Sequence, residues 1–281
     1  MAVTAEMVKN LREATGARLL DCQKALKETN GVFDDAVAWL RKQNLSQGAK
    51  VEGKTAEEGL LGYKLSADSK ALAVVELSSN TDFVAKNAEY QKLLSDLASL
   101  ALDQKLGSVE ALGAAQLNGR AVSETVRELA GKIGENIAIK RVYLAQGDFG
   151  FYIHHDYKKG GVIEFSGVTG EKAAALGKDL SMHVVFANPK YLKREEVPAD
   201  QVQKEKDLLA DKLKTDPKNA KKPPEILAKI AEGQLGKFYA EICLLDQEYY
   251  RPEVKKSITQ FLKDQGGDIS ITRFAHFKVG A

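Results

Sequence analysis

Residues 59–63 read GLLGY and residues 147–151 read GDFGF, so one pattern of glycines and apolar side chains recurs 88 residues later. At the same spacing, VVELS at residues 74–78 recurs as VIEFS at residues 162–166. In each copy the two stretches flank a short polar segment, and the second stretch is rich in the β-branched and apolar residues that favour strands. Each copy therefore predicts a β-hairpin.

A third pair of segments closes the repeat. GENIAIKR at residues 134–141 resembles GGDISITR at residues 266–273, here 132 residues later, and isoleucine alternates with more polar neighbours as in a half-buried strand. Three matching blocks in the same order indicate a duplication. We predict an α+β fold whose duplicated core has two subdomains, residues 59–144 and residues 145–281, each with a small antiparallel sheet and helices.

The second copy is 44 residues longer than the first before its last strand. Two helical patterns fill this extra length, and they predict an antiparallel helical hairpin of the coiled-coil type, inserted at about residues 198–242 with a proline- and lysine-rich turn at residues 216–224. A solvated face is the favoured interpretation of its lysines. The residues expected to pack between the helices are Leu208, Leu209 and Leu213 in the first and Ile226, Leu227, Ile230 and Leu235 in the second.

The N-terminal segment, residues 1–43, has the pattern of three short helices. Thr15-Gly16 and Asn30-Gly31 separate these helices, and glycine and asparagine suit the left-handed backbone that ends a helix. Residues 44–58 are polar and lack periodicity, and we interpret them as a linker. The segment is thus expected to form a compact three-helix module joined to the core.

Composition narrows the class of protein. With 281 residues, 44% hydrophobic, 28% charged and a net charge of only +2, the chain is typical of a folded protein of two or three domains. Disorder and a dedicated nucleic-acid binder are disfavoured. The two cysteines are far apart, the start lacks a basic-then-apolar signal, and there is no apolar run of about 18 residues. We expect a soluble cytoplasmic protein that does not bind membranes.

Common catalytic motifs are absent from the sequence. The four histidines do not have metal-ligand spacing beside an acid or a cysteine pair, and neither a Gly-x-Ser-x-Gly elbow nor a phosphate loop with correct spacing occurs. We therefore expect a binding protein rather than an enzyme, with no cofactor and no metal.

The two copies differ just after their second strand. The first continues SNTDFVAKN at residues 79–87, and the second continues GVTGEKAA at residues 167–174. A phenylalanine in the first turn of a helix, such as Phe83, is either turned inward as core or offered to a partner. Its counterpart is Glu171, so the shared fold does not require an aromatic residue there, and this difference favours a contact residue.

The same stretch, TDFVAKN at residues 81–87, resembles a signature of the translation elongation factor Ts family. LREATGA at residues 11–17, followed by DCQKAL, is similar to that family's opening signature, and KIGENI at residues 132–137 and MHVV at residues 182–185 are similar to further family segments. The resemblance covers essentially the whole chain. It implies a helical module like a ubiquitin-associated domain, a duplicated α+β core and a coiled-coil hairpin.

The resemblance also implies a function. Members of the family are guanine-nucleotide exchange factors for elongation factor Tu; they bind Tu·GDP, disrupt the Mg²⁺ and phosphate site, and are displaced after GTP binds. In this family Phe83 would wedge between two helices of the G domain of Tu, Asp82 would act near the magnesium, and His154, with His155 beside it, would help displace the phosphate loop. The positions that match family contacts with Tu are Arg12, Leu20, Thr81, Asp82, Phe83, Val84, Ile133, Gly134, His154, Tyr249 and Tyr250.

Three other functions compete with this reading. An RNA- or ribosome-binding protein would use the lysine-rich hairpin, but near-neutral charge disfavours it, and we expect no direct nucleic-acid contact. An adaptor for ubiquitin-like partners would rest on the helical module alone, and an unrecognised enzyme lacks an acid–base constellation. The sequence leaves open whether the factor acts as a monomer on one Tu or as a homodimer of Tu·Ts pairs. It also leaves open whether the hairpin serves dimerisation, contact with Tu or neither.

Overall fold

The computed structural model describes residues 2–215 and 222–281, and these residues form an α+β fold, as predicted. Its helices are α1 (Ala5–Thr15), α2 (Leu19–Glu28), α3 (Phe33–Val51), α4 (Asp82–Ala85), α5 (Ala88–Asp103), α6 (Val109–Ala114), α7 (Val122–Ile133), α8 (Gly170–Ala187), α9 (Ala199–Thr215), α10 (Pro224–Ile242) and α11 (Ile258–Asp264). Its strands are β1 (Glu58–Leu65), β2 (Ala71–Ser79), β3 (Gln116–Leu117), β4 (Arg120–Ala121), β5 (Ile137–Gln146), β6 (Phe149–Ile153), β7 (Lys159–Ser166) and β8 (Ser270–Lys278).

The chain divides into two compact units. Unit 1 comprises the chain up to Leu144 together with residues 155–158 and 278–281, and unit 2 comprises residues 145–154 and 159–277. The N-terminal helices therefore belong to the same unit as the first repeat.

The N-terminal helices end where the sequence places left-handed turns. Gly16 closes α1 at φ 60°, and Asn30 and Gly31 have φ values of 53° and 82° between α2 and α3. Between the three helices lies a small core of buried residues, which are Val8, Leu11, Ala17, Cys22, Ala25, Leu26, Ala36 and Leu40.

The predicted linker is partly helical, which corrects the interpretation of residues 44–58. Helix α3 continues to Val51 because it packs closely against α7. The contact is made through glycines: a Cβ added at Gly48 would lie 2.1 Å from the carbonyl oxygen of Arg127, and one at Gly131 would lie 1.7 Å from that of Asn44. Sequence periodicity missed this continuation of α3 because bare backbone, rather than an apolar stripe, forms its interface.

The main sheet of unit 1 has the order β1-β2-β5, and β1 and β2 form the predicted antiparallel hairpin, with Leu61 opposite Glu76. Helix α5 covers this sheet, and its Tyr90 is fully buried there. The Tyr90 hydroxyl donates to the carbonyl of Leu77 and accepts from the Leu60 N–H at 3.2 Å. These bonds fix α5 to both strands of the hairpin.

Unit 2 repeats the arrangement. Its sheet has the order β6-β7-β8, the hairpin β6–β7 is antiparallel, and α8 packs on both strands. A cross-strand ion pair recurs at corresponding positions: the Arg141 and Glu76 side chains lie 2.6 Å apart in unit 1, and those of Arg273 and Glu164 lie 2.7 Å apart in unit 2. The repeated sequence blocks thus correspond to repeated contacts.

The extra length of the second copy contains α9 and α10, which contact each other. Leu209 and Leu213 are buried, but Leu208 and Ile226 are exposed, contrary to the packing predicted for them. Neighbouring helical residues are separated by about 100°, so Leu208 and Leu209 cannot both face α10. Most of the predicted turn, residues 216–221, lies outside the described residues.

Candidate partner-binding site

Helix α4 is a single turn of four residues that is separated from the end of β2 by two residues. So short a helix is not stable alone, and packing must hold it in place. Val84 is only 3% exposed and packs in the core of unit 1, Ala85 is also buried, and the Gln91 side-chain amide donates to the Ala85 carbonyl at 2.9 Å. Val84 therefore anchors α4 in the core of unit 1.

The neighbouring Phe83 is turned outward. Its side chain is 75% exposed, so of the two alternatives for this residue, core packing is wrong. The Lys86 ammonium lies 5.3 Å from the centre of the Phe83 ring and 3.5 Å from the Asp82 carboxylate, whose side chain is itself half exposed. An anchored helix thus presents an aromatic ring and a carboxylate to solvent, where a partner can reach both.

Polar contacts join the start of α4 to the turn between α7 and β5. The N–H and the hydroxyl of Thr81 both donate to the Glu135 carboxylate, at 3.0 and 2.9 Å, and the Asn80 side-chain oxygen accepts from the Asn136 N–H at 2.6 Å. Gly134, in the left-handed region at φ 89°, closes α7 just before these residues. The structure therefore brings the predicted residues Thr81–Val84 close to the predicted pair Ile133 and Gly134.

The same turn is bonded to the N-terminal helices. The Arg18 guanidinium donates to the Ile133 carbonyl at 3.1 Å, and the Lys132 ammonium donates to the Thr15 carbonyl at 2.5 Å. Two further predicted residues lie on these helices: Arg12 is exposed on α1, and Leu20, at 75% exposure, is on α2. Unit 1 thus carries eight of the eleven predicted contact positions.

The other three predicted positions lie in unit 2. His154 follows β6 and is half buried; its N–H donates to the Lys159 carbonyl at 2.9 Å, and its Nδ1 is 2.6 Å from the Tyr152 hydroxyl. Its ring is therefore held by the hairpin β6–β7.

Tyr249 is only 3% exposed and packs in the core of unit 2. Its ring stacks on Phe261 with centroids 4.4 Å apart, and its hydroxyl donates to Asp179. Burial, together with the Asp179 carboxylate, raises the pKa of Tyr249 above its usual range. Tyr250 is half buried and nearer the surface, and its hydroxyl donates to the same carboxylate at 2.9 Å.

A buried histidine supports these tyrosines from α8. His183 accepts the Tyr250 N–H at Nδ1 at 3.1 Å, so in the neutral ring Nε2 carries the proton and donates to the Gln247 side-chain oxygen at 3.0 Å. Burial lowers the pKa of His183 and favours this neutral form. Phe186, also on α8, is 76% exposed with its ring centroid 6.5 Å from that of Tyr250.

Sequence reasoning singled out neither Glu135 nor the exposed Phe186. Glu135 lies in the KIGENI segment, and a signal for it existed: at the 132-residue spacing its counterpart is Gly267, so only the copy with Phe83 has this carboxylate. Phe186 gives no comparable signal, because a phenylalanine in an apolar helix most often faces the core.

Comparison with protein families identifies the chain. Residues 80–281, more than half of the length, match the family described as Elongation factor TS. The chain belongs to the elongation factor Ts family. Membership gives it a role in translation elongation as a nucleotide exchange factor for elongation factor Tu. The elongation factor Ts match begins at Asn80, two residues before α4, and leaves Arg12 and Leu20 outside it.

The described parts of the chain also bear on metal sites and membrane spans. Residues 2–215 and 222–281 contain no group of three His, Cys, Asp or Glu side chains arranged to hold a metal ion. In those same ranges no helix combines the length and the apolar character needed to cross a membrane.

Proposed function

We propose that this chain accelerates release of GDP from elongation factor Tu by placing Phe83 and Asp82 against the G domain of Tu. The observation that carries the proposal is the exposed Phe83 ring on α4, a helix that Val84 anchors in the core. Such a ring enters a partner with little loss of conformational freedom, because its backbone is already ordered.

The proposed mechanism needs binding energy and no covalent step. A G protein holds GDP through backbone amides of its phosphate loop, a lysine and Mg²⁺. A partner that binds better when the loop and the magnesium site are distorted stabilises that form and lowers the affinity for GDP. By linkage, nucleotide lowers the affinity for the partner by the same factor, so rebinding of GTP releases the exchange factor.

In this mechanism the two side chains act differently. Phe83 wedges between two helices of the G domain and favours their separation, whereas Asp82 brings a negative charge towards the magnesium and competes with its ligands. The Lys86 contact leaves Asp82 available, because an exposed ion pair with atoms 3.5 Å apart contributes little free energy.

The remaining contacts are proposed to add affinity. Tyr250 would contact Tu directly, while the buried Val84 and Tyr249 hold their neighbours in position. The other proposed contact residues are Arg12, Leu20, Thr81, Ile133, Gly134 and His154. Helices α1–α3 would act as a module like a ubiquitin-associated domain, and α9 and α10 as a coiled coil that serves either Tu binding or a homodimer of Tu·Ts pairs. We expect this activity in the cytoplasm, without direct nucleic-acid binding.

Release of a fluorescent GDP analogue from Tu tests the proposal. Wild-type chain should accelerate release strongly, and Asp82→Ala combined with Phe83→Ala should slow the accelerated release by about tenfold to hundredfold, as expected for loss of a central aromatic contact. Glu171→Ala is the matched control, because Glu171 is exposed at the position corresponding to Phe83 in the second copy.

The outcomes separate two errors. Normal exchange by the folded double variant would show that the site is assigned wrongly. A wild-type chain that leaves the release rate unchanged would show that the function itself is wrong.

A further inference from the structure

We propose that Glu135 is a positioning residue for exchange: it holds Thr81 so that α4 presents Phe83 in one fixed orientation. The proposal rests on the proposed function, since it takes Phe83 as the contact with Tu. Glu135 itself does not have to touch the partner.

The geometry of the clamp starts from Thr81. As the residue preceding α4, Thr81 would ordinarily turn its hydroxyl onto the first N–H groups of the helix, but this side chain makes no such cap. Its hydroxyl lies 2.9 and 3.0 Å from the two oxygens of Glu135 and donates its single proton to that carboxylate instead, and its N–H donates to Oε2 at 3.0 Å. One carboxylate thus fixes both donors of the residue from which α4 starts.

Two asparagines extend the clamp to a third segment of the chain. Asn80 accepts the Asn136 N–H at 2.6 Å and donates to the Thr55 carbonyl, while the Asn136 side chain donates to the Lys54 carbonyl at 2.6 Å. The backbone before α4 is therefore bonded on both sides. A single helical turn cannot fix its own direction, so these bonds and the buried Val84 determine where the Phe83 ring points.

The second copy provides an internal comparison. Thr169 also precedes a helix with an extended backbone, but the counterparts of Asn80 and Glu135 are Val168, which is buried, and Gly267, which has no side chain. Helix α8 has 18 residues and the direction of its first turn is set by its own length and packing. The carboxylate clamp accompanies the short helix with the exposed phenylalanine.

The test measures the rate of GDP-analogue release at saturating chain and the chain concentration for half-maximal release. Glu135→Ala should lower the saturated rate about fivefold to tenfold and change the half-maximal concentration about twofold or less, because orientation rather than contact area is lost. Glu135→Gln should recover most of the rate, since its amide oxygen can accept both Thr81 donors. A wild-type saturated rate in folded Glu135→Ala would overturn the proposal.

A double-mutant cycle tests whether Glu135 acts through Phe83. In the Phe83→Ala background, Glu135→Ala should lower the rate further by less than about twofold, because there is no ring left to position. An equal loss in both backgrounds would overturn the proposal. Should Glu135→Ala fail to fold, Thr81→Val, which removes only the hydroxyl donor, takes its place under the same criterion.

A measurement without Tu separates this proposal from the proposed function. Nitrogen-15 relaxation of the free chain should show increased motion of the amides of residues 82–85 in Glu135→Ala, while those of residues 170–173 in the second copy stay unchanged. Unchanged order of residues 82–85 would overturn the clamp, whether or not the chain acts on Tu. Failure of wild-type chain to accelerate release, with the loss of order observed, would overturn the proposed function alone.

Discussion

The two repeats use one junction in two ways. After the second strand each copy has a threonine with an extended backbone, Thr81 or Thr169, and then a helix. In unit 1 the helix ends after four residues, whereas in unit 2 it continues for 18. The difference shows that a duplicated fold can change a surface feature completely without changing the strands that precede it.

Asn87 explains why the helix after Thr81 ends after four residues. Its side chain accepts the N–H groups of Glu89 and Tyr90 at 2.8 and 3.2 Å and so begins a second helix, α5. The corresponding residue in the second copy is Ala175, which continues a helix without interruption. A helix cap in one copy thus leaves α4 as a separate turn, and that separation places Phe83 outside the core.

The largest expected effect concerns the corresponding glycines of the two copies at which a helix packs against the hairpin. Gly150→Ala should lower the free energy of unfolding by about 3 kcal/mol or more, because the new Cβ would meet backbone atoms of α8, the nearest at 2.5 Å. Gly62→Ala, at the corresponding position, should lower it by only about 1–2 kcal/mol, because the two nearest atoms, at 2.6 and 2.8 Å, belong to the Leu94 side chain, which can shift more easily than helix backbone.

Unfolding in urea followed by circular dichroism measures both variants. Neither glycine has a positive φ, so backbone strain does not enter the comparison. A larger loss for Gly62→Ala than for Gly150→Ala would show that the two helix–sheet contacts do not differ as described.

A smaller effect should depend on pH and affect unit 2 alone. The pKa of His183 is lowered by burial in the folded state, so below its ordinary value of about 6.5 the unfolded chain binds a proton that the folded chain does not. Stability is therefore full above pH 6.5 and falls as pH decreases, by at most about 1.4 kcal/mol per pH unit. The corresponding residue in unit 1 is Ser95, which does not titrate.

Hydrogen exchange at pH 7.5 and pH 5.5, corrected for intrinsic rates, distinguishes the units. Protection of α8 should fall relative to that of α5 in the wild-type chain, and His183→Asn, which keeps an acceptor for the Tyr250 N–H, should remove the difference. Equal loss of protection in both helices would contradict this origin of the pH dependence.

Much of the fold could be predicted because local patterns coincide with local contacts. The repeated blocks predicted both hairpins, and glycines predicted the ends of the N-terminal helices. Contacts between distant segments could not be predicted in the same way: the helix over residues 44–51 depends on glycine backbone in α7, and the burial of Tyr249 depends on Phe261 and Asp179. Composition alone does not reveal such partners.

At the candidate site, too, exposed residues could be predicted from the sequence but contacts between distant segments could not. Comparison of the copies and the family signature indicated Phe83, and its exposure agrees with the contact interpretation. Glu135 was missed because a glutamate near a helix end is usually solvated, and only the folded chain shows that Thr81 is its partner.

Two equally exposed phenylalanines allow the most direct test of the claim that α4 carries the exchange activity. Phe83 and Phe186 are 75% and 76% exposed, but only Phe83 lies on the interrupted helix of the first copy. At saturating chain, Phe83→Ala should lower the rate of GDP-analogue release from Tu by about tenfold or more, and Phe186→Ala should change it by less than about twofold. Equal losses in the two variants, or a wild-type rate in Phe83→Ala, would contradict the assignment of exchange to α4.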